Sequence, residues 1–334
     1  SEEEELRGDT LTLLLEDVAD TAAPESRPAW QEAWRQMRRG LGVEETPRTS
    51  DDLFAFQLED EREKMRKEPV RLTADNALVT SETFEAGDEQ PVVHASISAP
   101  QLEVDIINRQ ITTTGVTDLL MTDRRGVQDV DAARDALGVP TALMSRGPSQ
   151  SAIRCTGRMS YTLGADGPNR RDTVVFENQV VFVHRTGKEM VDLAAMLPQA
   201  TQKPELLDAL KSRNAAMDCD RLECWFAVDQ NDHTPRRGGA LTRAPLRLAS
   251  MLASGSVYLR DQQDEQIREV NASWLEFNRE QSRIHVRGAK GADARVYTQD
   301  KKTGQFDVHS GPQLAINLAD GTIRSDRIEG EMRK

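Results

Sequence analysis

From about residue 70 onward, apolar and polar positions alternate with a period of two. Val93, Ala95 and Ile97 are separated by polar or small neighbours, and so are Leu102, Val104 and Ile106. The rhythm returns in Val174/Phe176, Val180/Phe182, Leu222/Cys224/Phe226, Val257/Leu259, Leu275/Phe277, Ile284/Val286 and Leu314/Ile316/Leu318. A strand turns successive side chains to opposite faces, so this pattern predicts strands with one buried and one wet face. Turn-forming residues punctuate the runs at Asn108-Arg109, at 165–169, at Thr303-Gly304 and at Asp320-Gly321. Short intervals between such runs, with few helical stretches, predict a mainly β fold of antiparallel strands.

Residues 1–74 follow another rhythm. Trp30, Ala33, Trp34, Met37 and Leu41 recur at helical spacing, with Pro28 near the start and Gly40 near the end. Within 51–68 the chain is charge-dense, and Asp60/Lys64 and Glu63/Lys67 stand four apart, as helix pairs do. The reading is an acidic, partly helical leader over 1–74, followed by a β domain over 75–334. Trp30, Trp34 and Met37 are its candidate partner-docking residues; the alternative is a plain tethered leader. The β domain carries insertions near 126–150 and 198–214. Asp131 to Leu137 reads as a short helix closed by Gly138 and Pro140, and Pro204 to Arg213 as a second.

Charge narrows the function classes. The chain has 334 residues, 43 Lys+Arg against 56 Asp+Glu and a net charge of −13. That balance argues against a general nucleic-acid binder, because neutralising phosphates needs a basic surface. No apolar run approaches the ~18 residues of a membrane-spanning helix. Three cysteines, Cys155, Cys219 and Cys224, leave one over in any pairing, and whether Cys155 joins a disulfide stays open.

Catalytic chemistry finds no foothold. His94, His184, His233, His285 and His309 are scattered without ligand spacing. Asp218-Cys219-Asp220 puts its middle residue on the opposite face of a strand. Thr186-Gly187-Lys188 lacks the flanking residues of a phosphate loop and reads as a hairpin turn. The expectation is a non-enzymatic protein with no catalytic residues, no cofactor and no metal.

Self-comparison gives the strongest signal. Ala99, Leu102, Glu103, Val104, Ile111 and Gly115 match Ala272, Leu275, Glu276, Phe277, Ile284 and Gly288 at equal offsets, and Leu222-Glu223-Cys224 forms a partial third copy. A companion pattern aligns Ile153, Cys155, Gly157, Met159 and Tyr161 with Met251, Ala253, Gly255, Val257 and Leu259. A glycine inside an alternating strand suggests a bend or a close backbone approach.

These alternating strands resemble the OstA-like proteins of the lipopolysaccharide-transport system, over roughly 75–334. The closing segments Asn317 to Ile323 and Arg327 to Gly330 fit the same pattern. The resemblance implies an elongated β-jelly roll whose inner face holds acyl chains and whose open ends join neighbouring modules edge to edge. It implies lipopolysaccharide or another acylated envelope lipid as ligand, and other β-jelly-roll envelope proteins or a second copy as partners. A periplasmic location goes with it, with a tether before Ser1 left open. The expected lipid-lining residues are Val104, Ile106, Ile111, Phe176, Val180, Phe182, Leu222, Phe226, Val257, Leu259, Leu275, Phe277, Ile284 and Val286. Each methylene buried on such a wall contributes ~0.8 kcal/mol. The same residues could instead fill a closed core. The alternative function is a structural or filament-forming scaffold assembled through open β edges without lipid.

Overall fold

A computed structural model describes residues 2–7, 10–19, 65–83, 91, 93–124, 148–164, 170–187, 189, 191–197, 214–228, 246–262, 266–317 and 321–325. Among them, strands joined in one 17-stranded sheet account for nearly all regular structure. In chain order these are β1 (Glu2–Arg7), β2 (Thr10–Ala19), β3 (Met65–Thr83), β4 (Val93–Asp105), β5 (Gln110–Thr114) and β6 (Thr117–Asp123). Then follow β7 (Ser149–Cys155), β8 (Arg158–Thr162), β9 (Arg171–Thr186), β10 (Asn214–Val228), β11 (Leu246–Gln262) and β12 (Gln266–Asn278). The last described strands are β13 (Arg283–Arg287), β14 (Ala294–Asp300), β15 (Phe306–Gly311), β16 (Gln313–Asn317) and β17 (Ile323–Ser325). One short helix, α1 (Leu193–Met196), lies between β9 and β10 and is capped by Asp192, whose Oδ1 accepts from the Ala195 N–H.

Every pairing is antiparallel, and the long strands each serve two ladders. The 71–75 half of β3 pairs with the 101–105 half of β4, and its 77–83 half with 93–99. Next, β5 continues the first ladder and β6 the second. The split repeats through β8 and β7 onto the two halves of β9. It runs on through β10, β11 and β12 to β13 and β14, and then to β16 and β15. Two walls result. Wall one runs from β2 to β17 and wall two from β1 to β15, and nearly every rung turns a corner from one to the other. At ~4.8 Å per strand, wall one is roughly 50 Å long.

The corners explain the repeat. Gly115 (φ 90) and Gly255 (φ 98) sit where their rungs bend, in a region open to glycine and strained for other residues. At Gly255 an added Cβ would fall on the Asp220 carboxylate, which accepts from the Ser256 N–H at 3.2 Å. At Gly157 the limit is space: an added Cβ would stand 2.8 Å from the Glu177 carbonyl oxygen. Hydrogen bonds tie one corner to the next, from Gly115 N–H to Gly157 O at 2.7 Å and from Thr156 N–H to Asn178 O at 2.9 Å. The other rungs bend at Asn76 (φ 49), at Asn178 and Gln179 (φ 66 and 46), and near Gly288 and Pro312, which share a 3.0 Å hydrogen bond.

Several expectations meet a different structure. The leader does not end at residue 74: that boundary falls inside β3, and β1 and β2 are strands hydrogen-bonded to β3. The first strand, reading Glu-Glu-Glu-Glu-Leu-Arg, shows no alternation and pairs with β3 alone among the described strands; charge along such an edge deters further pairing. The helix expected around Trp30, Trp34 and Met37 lies outside the described residues. So do 125–147 and 198–213, including both expected insertion helices, although β7 and β10 claim residues 149–150 and 214 of the expected insertions. All three cysteines are free and buried, so Cys155 has no disulfide.

Candidate functional site

Strand register lines up the inward side chains of each wall in rows that cross the whole ladder. On wall two, Val79, Ile97, Leu119, Ile153, Phe182, Met217, Leu259, Val270 and Val296 face one another strand by strand. On wall one, one row runs Ala74, Leu102, Thr113, Met159, Phe176, Leu222, Ala253, Leu275, Val286 and Leu314. A parallel row runs Leu72, Val104, Ile111, Tyr161, Val174, Cys224, Met251, Phe277, Ile284 and Ile316. The inward rows are therefore apolar from one end to the other, apart from Thr113 and Tyr161.

How well that interior is filled changes along the ladder. From β7 to β16 the two walls share one core cluster, in which Leu275, Phe277, Ile284, Val286, Val270 and Val296 are wholly buried. Toward β1 the wall-two row emerges: Val79, Ile97 and Leu119 are only half-buried, and Met121, next along toward the rim, is 45% exposed. Side-chain size accounts for the change. The core cluster is built on Phe176, Phe182, Phe277, Met159 and Met217, whereas the first rungs present Ala74, Ala77 and Ala99 near the corner and Ala95 near the rim.

The expected lining residues divide along this line. Phe176, Val180, Phe182, Leu222, Val257, Leu259, Leu275, Phe277, Ile284 and Val286 are buried in the shared core and touch one another. Phe226 packs half-buried against that cluster. Val104 and Ile111 are half-buried against a separate small cluster of Leu72, Ala74, Ala77 and Leu102. Ile106 stands half-buried at the turn after β4, held by Asp105, which accepts from the Asn108 N–H at 2.9 Å. The accessible part of the lining also includes Val79, Leu119 and Met121, which the sequence reading missed. Their strands alternate, but Leu119-Leu120-Met121 is a continuous apolar run in which period two cannot be seen.

Polar groups close the rims at the filled end. On wall one, Asp172 is fully buried and held by Arg170 Nε at 2.7 Å, by the Tyr161 hydroxyl at 2.5 Å and by the Gly164 N–H at 3.0 Å. Burial alone would raise its carboxyl above the usual range, and these donors outweigh that and hold it below. On wall two, His184 continues the inward face two residues beyond Phe182, stacked on that ring and bonded to Ser151 Oγ at 2.8 Å. Burial pushes its imidazole down to about 3.

The outer face of wall two has a cover of its own. Leu193 and Leu197, in and just after α1, pack on Ala152, Val183 and Ala216. The Gln150 amide fixes this strap at its start, giving a hydrogen bond to Val191 O at 3.0 Å and taking one from Val191 N–H at 2.9 Å. Where the strap meets the rim of β4, β6 and β7 lies a shallow recess open to solvent, lined by His94, Leu120, Met121, Thr122, Ser151, Asp192 and their neighbours. His94 is half-buried there.

Among the described residues no group of three or more His, Cys, Asp or Glu side chains could hold a metal ion. No described helix is long and apolar enough to cross a membrane. Comparison with protein-family models, with curated proteins and with solved structures finds no match for this chain.

Proposed function

We propose that this protein is a non-catalytic carrier of acylated amphiphiles in the cell envelope, of the kind the OstA-like resemblance implies, with lipopolysaccharide or a related lipid as ligand. One observation carries the reading: an apolar interior row that runs the whole ladder, filled at one end and half-exposed from Val79 to Met121 at the other. Acyl chains would enter at the β1–β6 end and lie against Ile97 and Leu119. Each methylene taken from water contributes ~0.8 kcal/mol, so a dozen outweigh the ordering cost of a flexible tail. The test is lipid extraction from purified protein followed by mass spectrometry. Bound amphiphile is expected from the wild type and much less from Ile97→Glu with unchanged circular dichroism. Protein free of amphiphile after expression in a lipid-rich envelope contradicts the reading.

A second reading, assembly through an open edge, is favoured by β15. That strand pairs only with β14 among the described strands, and Phe306 and Val308 on it are 62% and 57% exposed. Apolar side chains on an unpaired edge invite strand addition. Under this reading Val308→Lys lowers the apparent mass in sedimentation; an unchanged mass removes it.

A further inference from the structure

β15 is the last rung of wall two, and every residue on it from Phe306 to Ser310 is exposed. The phase of its ladder is set at the hairpin, where the Asp300 N–H donates to Gln305 O at 3.0 Å. Along an antiparallel ladder, hydrogen-bonded pairs alternate with non-bonded ones. Asp307 and His309 therefore turn their backbone groups to Thr298 and Val296, while Phe306, Val308 and Ser310 turn theirs to the open side. Side chains alternate too: Asp307 and His309 share the inward face with Val296, and Phe306, Val308 and Ser310 lie on the outer one. Deepening the edge-assembly reading, on which it rests, we infer that β15 pairs with β15 of a second copy, antiparallel about a two-fold axis at Val308.

Backbone phase and charge select that register. Residues whose backbone groups turn outward must oppose one another, so alternative registers slip in steps of two. Centring on Val308 opposes Val308 to its own copy and Phe306 to the partner's Ser310, each pair giving two hydrogen bonds. Between them lie non-bonded pairs, where side chains come closest. They set Asp307 against the partner's His309 on both sides of the axis, an imidazole N–H donating to a carboxylate. A slip one way opposes Asp307 to Asp307, and directly opposed like charges destabilise a ladder. A slip the other way opposes His309 to His309 and loses both pairs, and larger slips shorten the ladder. The other end of wall two fits less well, because β1 reads Glu2 to Glu5 and brings carboxylates toward Asp307. On the outer face the register sets Val308 against Val308 with Phe306 diagonally beside it, covering side chains that are 57% and 62% exposed. The same patch meets itself, so the contact closes at two copies.

Sedimentation and oxidative crosslinking of the intact protein test this. The native cysteines are buried, so an introduced one reports its own neighbours. Mass is expected to rise with concentration to twice that of the chain and no further. Oxidation is expected to link Val308→Cys to itself and to link Asp307→Cys to His309→Cys in a mixture, while neither of the latter links to itself. His309→Asp is expected to weaken association about tenfold or more. The exchange of Asp307→His together with His309→Asp is expected to restore it, with circular dichroism unchanged throughout. A mass that climbs past two copies, self-linking by Asp307→Cys or His309→Cys with none in the mixture, or an exchange that restores nothing each overturn this register and leave edge assembly standing. A mass that stays at one chain at every concentration overturns both.

Discussion

At the scale of single residues, the corners and the buried polar groups set the molecule's tolerances. Gly255 combines a left-handed backbone with a carboxylate where a Cβ would stand, so Gly255→Ala is expected to lose about 1–3 kcal/mol in urea unfolding. Gly291→Ala, equally left-handed but with open space around it, should lose no more than ~1 kcal/mol. Equal losses would show that the Asp220 approach does not matter. His184 gives a pH signature. Its folded pKa is depressed, so its contribution is complete above the unfolded value of 6.5 and is lost as pH falls toward about 3. Between those limits stability should drop by up to ~1.4 kcal/mol per pH unit. Chemical unfolding at pH 7, 6 and 5 checks this, and His184→Leu should flatten the slope. Asp172 cannot mimic the effect: its depressed pKa keeps its contribution intact down to 3.8 and loses it only below. The corner glycines were legible in the sequence through the repeat. The burial of His184 was not, because it depends on neighbours brought by β7 and β10, far away in the chain.

At the scale of elements, alternation revealed which residues point inward but not how much space they share. Ten of the expected lining residues share parity and a common core, so they behave as packing rather than as an open wall. Phe277→Ala should therefore cost about 3–5 kcal/mol, and a charge there would unfold the domain rather than report on lipid. Ile97→Ala, on a half-buried position of the same inward face, should cost less than half as much. Thermal or urea unfolding compares them directly, and similar losses would mean the β1–β6 end is as tightly filled as the rest. The thiols follow the core: burial raises Cys155 and Cys219 and pushes Cys224 up to about 12, which keeps them from reacting while the strands are closed. β1 and β2 escaped the sequence reading for other reasons. In β1, Glu-Glu-Glu-Glu-Leu-Arg carries charge on both faces and shows no period; in β2 the alternation of Thr10 to Leu13 is broken by the run Leu13-Leu14-Leu15.

At the scale of the whole molecule, two walls joined at a line of corners make a trough whose floor is backbone and whose lining is graded. Large side chains from β7 to β16 fill one end, while at the β1–β6 end Val79, Ile97 and Leu119 are half-buried and Met121 is exposed. The sequence held the mainly β character, the antiparallel pairing and the inward rows. It did not hold the gradient, which arises only when rungs far apart in the chain are stacked in order. The most direct test places a photo-crosslinking side chain at Leu119 and, separately, at Val296, two positions of one inward row, in protein mixed with lipopolysaccharide and other acylated envelope lipids. Adducts with acyl chains at Leu119 and none at Val296 are the expected result. Adducts at neither position, or equally at both, would contradict a trough open at one end.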